Sequence, residues 1–157
     1  QLCLQLIAES SSKKSALRGQ PVLDFGSGSG ILAIGAALLG AQVDAVEIDR
    51  LAIDNALENA KLNSVETAIR YATKLGELEN APATYRMVIA NILRPVLIEF
   101  APELVRRIRK PGGTLILSRL IETDLPQIIS VYSKLIGSEP RSLALNEWRG
   151  LCWELGS

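Results

Sequence analysis

From Asp24 to Gly30 the chain reads Asp-Phe-Gly-Ser-Gly-Ser-Gly, with the apolar Val22-Leu23 directly before it and the apolar Ile31-Leu32-Ala33-Ile34 directly after. Glycines at alternate positions between an apolar strand and an apolar helix make a nucleotide-handling turn. Glycine has no Cβ, so it takes positive φ and lets a ligand lie on the backbone, and the following helix offers unpaired N–H groups and a partial positive charge. A ribose or a negatively charged group suits such a place. The spacing separates ligand classes, because a dinucleotide-binding turn reads G-x-G-x-x-G and Ile31 stands where its third glycine belongs. The same residues also make a tight strand-to-helix turn that holds no ligand.

Glu47 lies about twenty residues beyond the glycine turn, at the end of a second apolar strand, where an acidic side chain accepts hydrogen bonds from both hydroxyls of a ribose. The plain alternative is a solvated carboxylate. Asp49, two residues on, is read as the cap of the next helix. The chain has no histidine, which removes the commonest general base, the commonest metal ligand and every imidazole-dependent nucleophilic mechanism. The chemistry must proceed without one, and no metal site is expected.

These residues need a frame. The 157 residues, 48% hydrophobic and 22% charged, fit one globular domain that buries roughly two thirds of its unfolded surface. Lysine plus arginine (17) balance aspartate plus glutamate (17), so the basic footprint of a nucleic-acid binder is missing and nucleic acid is a weak candidate partner. Cys3 and Cys152 form no C-x-x-C pair and suit free thiols in a reducing compartment. No apolar stretch approaches the roughly 18 residues of a membrane span, and the expectation is a cytoplasmic monomer. The start at Gln1 suits a processed product or a fragment.

Along the chain the pattern predicts a short helix over 2–8, a polar linker over 10–20, strands over 21–25 and 42–46, and helices over 29–39 and from Asp49 to about Asn63. Strands follow over 67–72, 87–90 and 114–118. Helices are predicted over 95–108 and 124–136, the first closed by Lys110-Pro111-Gly112-Gly113. Residues 141–155 read as an antiparallel hairpin joined near Asn146 and Glu147. Strands alternating with helices imply a parallel sheet covered on both faces, with ligands beyond the carboxyl ends of the strands.

The D-x-G-x-G-x-G form resembles the first motif of the S-adenosylmethionine (SAM) methyltransferases. More closely, Leu23 to Ile34, Glu47-Ile48-Asp49, Asn59-Ala60, Val88 to Leu93, Ala101-Pro102-Glu103-Leu104, Lys110 to Gly113 and Glu147-Trp148 are similar in order and spacing to the catalytic domain of the PrmA family, the methyltransferases of large-subunit ribosomal protein eleven. The resemblance covers nearly the whole chain, and Ala90-Asn91-Ile92-Leu93 is its most specific part.

It implies an α/β, class I Rossmann-like fold with a mostly parallel seven-stranded sheet and a C-terminal antiparallel hairpin. It also implies SAM as cofactor, S-adenosylhomocysteine as product, and a protein amine as acceptor, a lysine ε-amino or N-terminal α-amino group. Asp24, Gly26, Gly28, Gly30, Glu47 and Asn91 are the implied cofactor contacts. Asp24 either braces the loop or binds the cofactor ammonium. Methyl transfer from a sulfonium suits a chain without histidine, since the electrophile is already activated and alignment is the main task.

Asn91 ends the fourth strand, where an amide oxygen can orient an amine lone pair and stabilise the ammonium charge that develops; the alternative is an ordinary turn residue. No aromatic ring is supplied in Asn91-Ile92-Leu93-Arg94-Pro95, and an apolar wall of Ile92 and Leu93 with Arg94 near would lower an acceptor lysine's pKa. Family members carry an N-terminal substrate-recruiting domain and a threonine-bearing Gly-Thr-Gly loop, both expected to be absent from residues 1–157. Arg119 stands where a glycine is expected, and either blocks the pocket mouth or recognises an acidic acceptor. The competing reading is a SAM-binding domain with a small-molecule or nucleic-acid acceptor, or a weakly catalytic binding module; a NAD-linked oxidoreductase is a distant third.

Overall fold

A computed structural model describes residues 1–11 and 16–156. Its centre is a seven-stranded sheet in the order β3-β2-β1-β4-β5-β7-β6, comprising β1 (Pro21–Phe25), β2 (Gln42–Val46), β3 (Ile69–Ala72), β4 (Met87–Asn91), β5 (Thr114–Leu120), β6 (Arg141–Leu145) and β7 (Trp148–Glu154). All neighbours from β3 to β5 pair in parallel, and β7 enters antiparallel between β5 and β6. This is the expected class I architecture, with the strand order reversing beside β1, where open α/β sheets hold their ligands.

Strand pleating divides the core into two layers. Val22, Met87, Ile89 and Ile116 point into one cluster with α1 (Leu2–Ser10) and α2 (Ile31–Leu38). Leu23, Val88, Ala90, Leu115 and Leu117 point into the other. That second layer packs on α4 (Arg94–Glu99), α5 (Ala101–Arg106) and α6 (Leu125–Ile136). By the same two-residue period, Asp24, Asn91 and Ser118 all belong to the face covered by α1 and α2.

The remaining long helix, α3 (Arg50–Leu62), begins as expected at Asp49, whose Oδ1 accepts the Leu51 amide at 2.9 Å. The helix expected over 95–108 is instead two pieces meeting at Phe100, because Pro102 has no N–H to give the Ile98 carbonyl. Its last expected residue, Ile108, bridges Tyr85 in parallel. The strand expected from Thr67 starts at Ile69, after a 3₁₀ turn over Glu66–Ala68. The expected 10–20 linker falls partly on residues 12–15, outside the described residues; Ser10 closes α1 and Leu17 is buried.

At the far side of the sheet, Asp44 is buried and accepts the Tyr85 hydroxyl at 2.8 Å and two Arg70 nitrogens, each at 2.9 Å. Arg70 also donates to the Glu79 carbonyl, so this network ties the 73–86 connection to β2. Tyr85→Phe removes one donor and leaves the arginine pair intact. It is expected to cost about 1 kcal/mol in urea denaturation; an unchanged midpoint would show that the hydroxyl bond contributes nothing net.

Candidate active site

Gly26, Gly28 and Gly30 take φ of 79°, 53° and 83°, all in the left-handed region, so the alternating glycines are required by backbone geometry. A Cβ on Gly26 would collide with the Ile92 side chain, and one on Gly30 would lie 2.9 Å from the Ala56 Cβ. The turn hangs on β2, since the Gly26 and Ser27 amides donate to the Val46 carbonyl at 2.8 and 3.0 Å. Asn59 of α3 donates to the Ser29 carbonyl at 3.1 Å and braces the turn from outside. Gly30 caps α2 with no side-chain acceptor, leaving its first amides facing the turn.

Glu47 does reach the glycine turn. Its Oε2 accepts the Gly28 amide at 2.8 Å and its Oε1 the Asp49 amide at 3.0 Å. Each oxygen keeps a second lone pair, so the carboxylate is held in place by backbone and remains able to accept two further donors.

Asp24 is fully buried, and neither of its oxygens has a partner in hydrogen-bond geometry. Burial, assisted by the Glu47 carboxylate and opposed by the Ala33 amide, pushes its pKa up to about 7. The Ala33 amide is close enough to favour the charge without closing a proper hydrogen bond. A buried carboxylate with empty acceptor sites repels a pyrophosphate and suits a cation.

Asn91 pairs with Ser118 across β4 and β5, and the Ser118 hydroxyl donates to the Asn91 Oδ1 at 2.8 Å. Both line a cavity of about 580 Å³ with Cys3 and Leu4 of α1, Ile31 and Leu32 of α2, Arg119, and Trp148 of the hairpin. Ile92, on the opposite pleat, packs into the other layer beneath Gly26, and Arg94 is paired to Asp124 at 3.1 Å. Of the expected wall for an acceptor amine, only Leu93 is left exposed, and the arginine charge is neutralised.

Sequence reasoning missed Ser118 and Trp148. The first was findable, since Ser118 shares the pleat parity of Ile116 and Asn91 shares that of Ile89. The second was not, because Trp148 reaches the cavity only through β7 inserting beside β5. The ring absent from the Asn91 segment thus comes from the hairpin, where Trp148 is 42% exposed.

The family model described as Ribosomal protein L11 methyltransferase (PrmA) matches residues 1–154. The chain belongs to the PrmA family. Among curated PrmA relatives, the ribosomal protein L11 methyltransferase of Trichlorobacter lovleyi is 44% identical over 131 residues, which are 83% of this chain and 42% of that protein. The one from Syntrophotalea carbinolica is 40% identical over 153 residues, 97% of this chain and 48% of that protein. The crystal structure of the ribosomal protein L11 methylase of Lactobacillus delbrueckii subsp. bulgaricus superposes with a TM-score of 0.82 at 28% identity, covering 98% of this chain and 77% of that one. The chain spans about half the length of the curated PrmA proteins it matches. No helix among the described residues is long and apolar enough to cross a membrane.

Proposed function

We propose that residues 1–157 are one SAM-dependent methyltransferase domain that methylates a protein amine, a lysine ε-amino or N-terminal α-amino group of a large-subunit ribosomal protein. The observation that carries this reading is the pair of unpartnered Asp24 oxygens buried beside the glycine turn, a place for the ammonium of an amino-acid-bearing cofactor. Family membership supports the acceptor class. A cytoplasmic monomer goes with the same reading.

The residues fit SAM at each point. Asp24 would take the ammonium, the turn of Gly26, Gly28 and Gly30 would receive the amino-acid end, and the free lone pairs of Glu47 would take the ribose hydroxyls. When bound, SAM supplies an electrophilic methyl on a sulfonium. A neutral acceptor nitrogen held at Asn91 would take that methyl through a new N–C bond, the C–S bonding pair leaving with the sulfur of S-adenosylhomocysteine. Asn91, held by Ser118, presents its remaining Oδ1 lone pair to the amine and meets the developing positive charge. Trp148, in the lining of the same cavity, is the aromatic side chain that would serve that cation. A neutral amine is required, and the apolar lining of Ile31, Leu32 and Leu4 disfavours the charged form.

Calorimetric titration tests the cofactor. S-adenosylhomocysteine is expected to bind saturably and NAD not at all, and the reverse result would overturn the proposal. A tritiated-methyl assay with ribosomal protein L11 and ribosomal RNA as competing acceptors tests the rest: label on RNA alone would replace the amine reading with the nucleic-acid one.

Glu47→Ala is expected to weaken S-adenosylhomocysteine by about 1.5 kcal/mol through the lost charge-assisted acceptors. Unchanged calorimetric affinity would mean that the ribose is held elsewhere.

A further inference from the structure

Arg119 sits in a β-bulge. The register of β5 on β7 runs Leu117 to Leu151 and then Leu120 to Arg149, so Ser118 and Arg119 together oppose the single Gly150. Arg119 takes φ of 66°, a conformation that β-carbon sterics disfavour in any residue but glycine. Ser118 keeps its regular pleat position against Asn91, and Arg119, at the bulge, is exposed at the mouth of the same cavity, beside Asn146 and Trp148.

The arginines nearest in sequence to the other lining residues are neutralised. Arg94 is paired to Asp124 at 3.1 Å and Arg149 to Glu122 at 2.7 Å. Arg119 has no carboxylate within 4.0 Å among the described residues. A strained backbone position occupied by a long cation, unpaired where its neighbours are paired and opening on a cavity, points to a ligand that supplies the missing anion.

We infer that Arg119 binds a carboxylate at the cavity mouth. Two sources share that chemistry: the carboxylate of the cofactor's amino-acid end, and an acidic side chain beside the acceptor amine. The inference rests on the methyltransferase reading of this cavity, and it names a contact that a glycine at this position cannot make. Guanidinium geometry favours two parallel N–H to oxygen bonds over a point contact, so lysine is a poor substitute.

The test uses Arg119→Gly, which relaxes the bulge and leaves the fold intact, and Arg119→Lys, which keeps the charge. In the first arm, S-adenosylhomocysteine and 5′-methylthioadenosine, which lacks the amino-acid end, are titrated into each protein. If the cofactor supplies the carboxylate, Arg119→Gly weakens S-adenosylhomocysteine roughly tenfold and leaves methylthioadenosine unchanged, with Arg119→Lys between. In the second arm, two ten-residue peptides with a single lysine, flanked by aspartates or by asparagines, are titrated with and without S-adenosylhomocysteine. If the acceptor supplies it, the aspartate peptide binds wild type more tightly and loses roughly tenfold in Arg119→Gly, while the asparagine peptide does not change. No selective loss in either arm overturns the inference. Absence of any binding by S-adenosylhomocysteine or methylthioadenosine is the separate failure of the cofactor reading, and the unliganded peptide titrations then decide Arg119 by themselves.

Discussion

Asp24→Asn is expected to stabilise the ligand-free protein at pH 8 while removing most of its affinity for S-adenosylhomocysteine. The wild-type carboxyl has an ordinary value of 3.8 and is pushed up to about 7, first by burial and then by Glu47. Between those values the folded chain keeps a proton that the unfolded chain has released, so stability falls as pH rises through this window and the full cost is present above pH 7. The variant escapes that cost. Its gain should be about 2–4 kcal/mol at pH 8, should shrink steadily below pH 7 and should vanish near pH 4. Affinity moves oppositely: in wild type it rises with pH through about 7 as the carboxylate becomes charged toward the ligand ammonium, and in Asp24→Asn it is at least tenfold weaker at pH 8 and flat. Denaturant melts at pH 4.5, 6 and 8 with parallel calorimetry measure both. A variant that is less stable at every pH and binds normally would make Asp24 a brace for the glycine loop.

Asn91→Ala is expected to lower kcat about a hundredfold on ribosomal protein L11 with S-adenosylhomocysteine affinity nearly unchanged, the effect of removing one oriented polar group from a developing charge. Ser118→Ala should lower kcat by roughly tenfold, because it frees the Asn91 amide to rotate without deleting it, and Ser118→Thr should recover most of the loss. Single-turnover rates of the full-length protein separate these effects from product release. Equal rates in wild type and Asn91→Ala would remove Asn91 from the mechanism, and a raised KM with constant kcat would make it a binding residue.

How much of this was legible beforehand varied with the range of the interaction. The glycine turn and Asp49 cap are local: positive φ at Gly26, Gly28 and Gly30 and a side chain accepting two residues on are written in neighbouring positions. Glu47 was legible because its distance from the turn is fixed by one crossover. The bend at Phe100 was also local, yet the apolar spacing of 95–108 concealed it and Pro102 decided it. The Asn91–Ser118 bond needs the β4–β5 register, and Trp148 needs the position of β7, which no local pattern supplies. The αL backbone of Arg119 is hidden for the same reason: a bulge exists only relative to a partner strand.

Helix α1 precedes every strand in the chain, yet it packs against β5, β6 and β7, and Gly150 is the reason it can lie so close, since a Cβ there would come within 2.7 Å of Leu6. Arg141 of β6 closes on Glu9 from above at 2.7 Å. Residues 1–4 therefore form one wall of the cavity that Trp148 of β7 completes. During synthesis α1 emerges about 140 residues before its docking surface is finished, and β1 waits for β4 before its second edge is paired. Loop closures of that span are slow and leave apolar surface open meanwhile. A nascent chain of this kind gains the cavity at Asn91 only once β7 has emerged, so any ligand that binds there reports completion of the sheet.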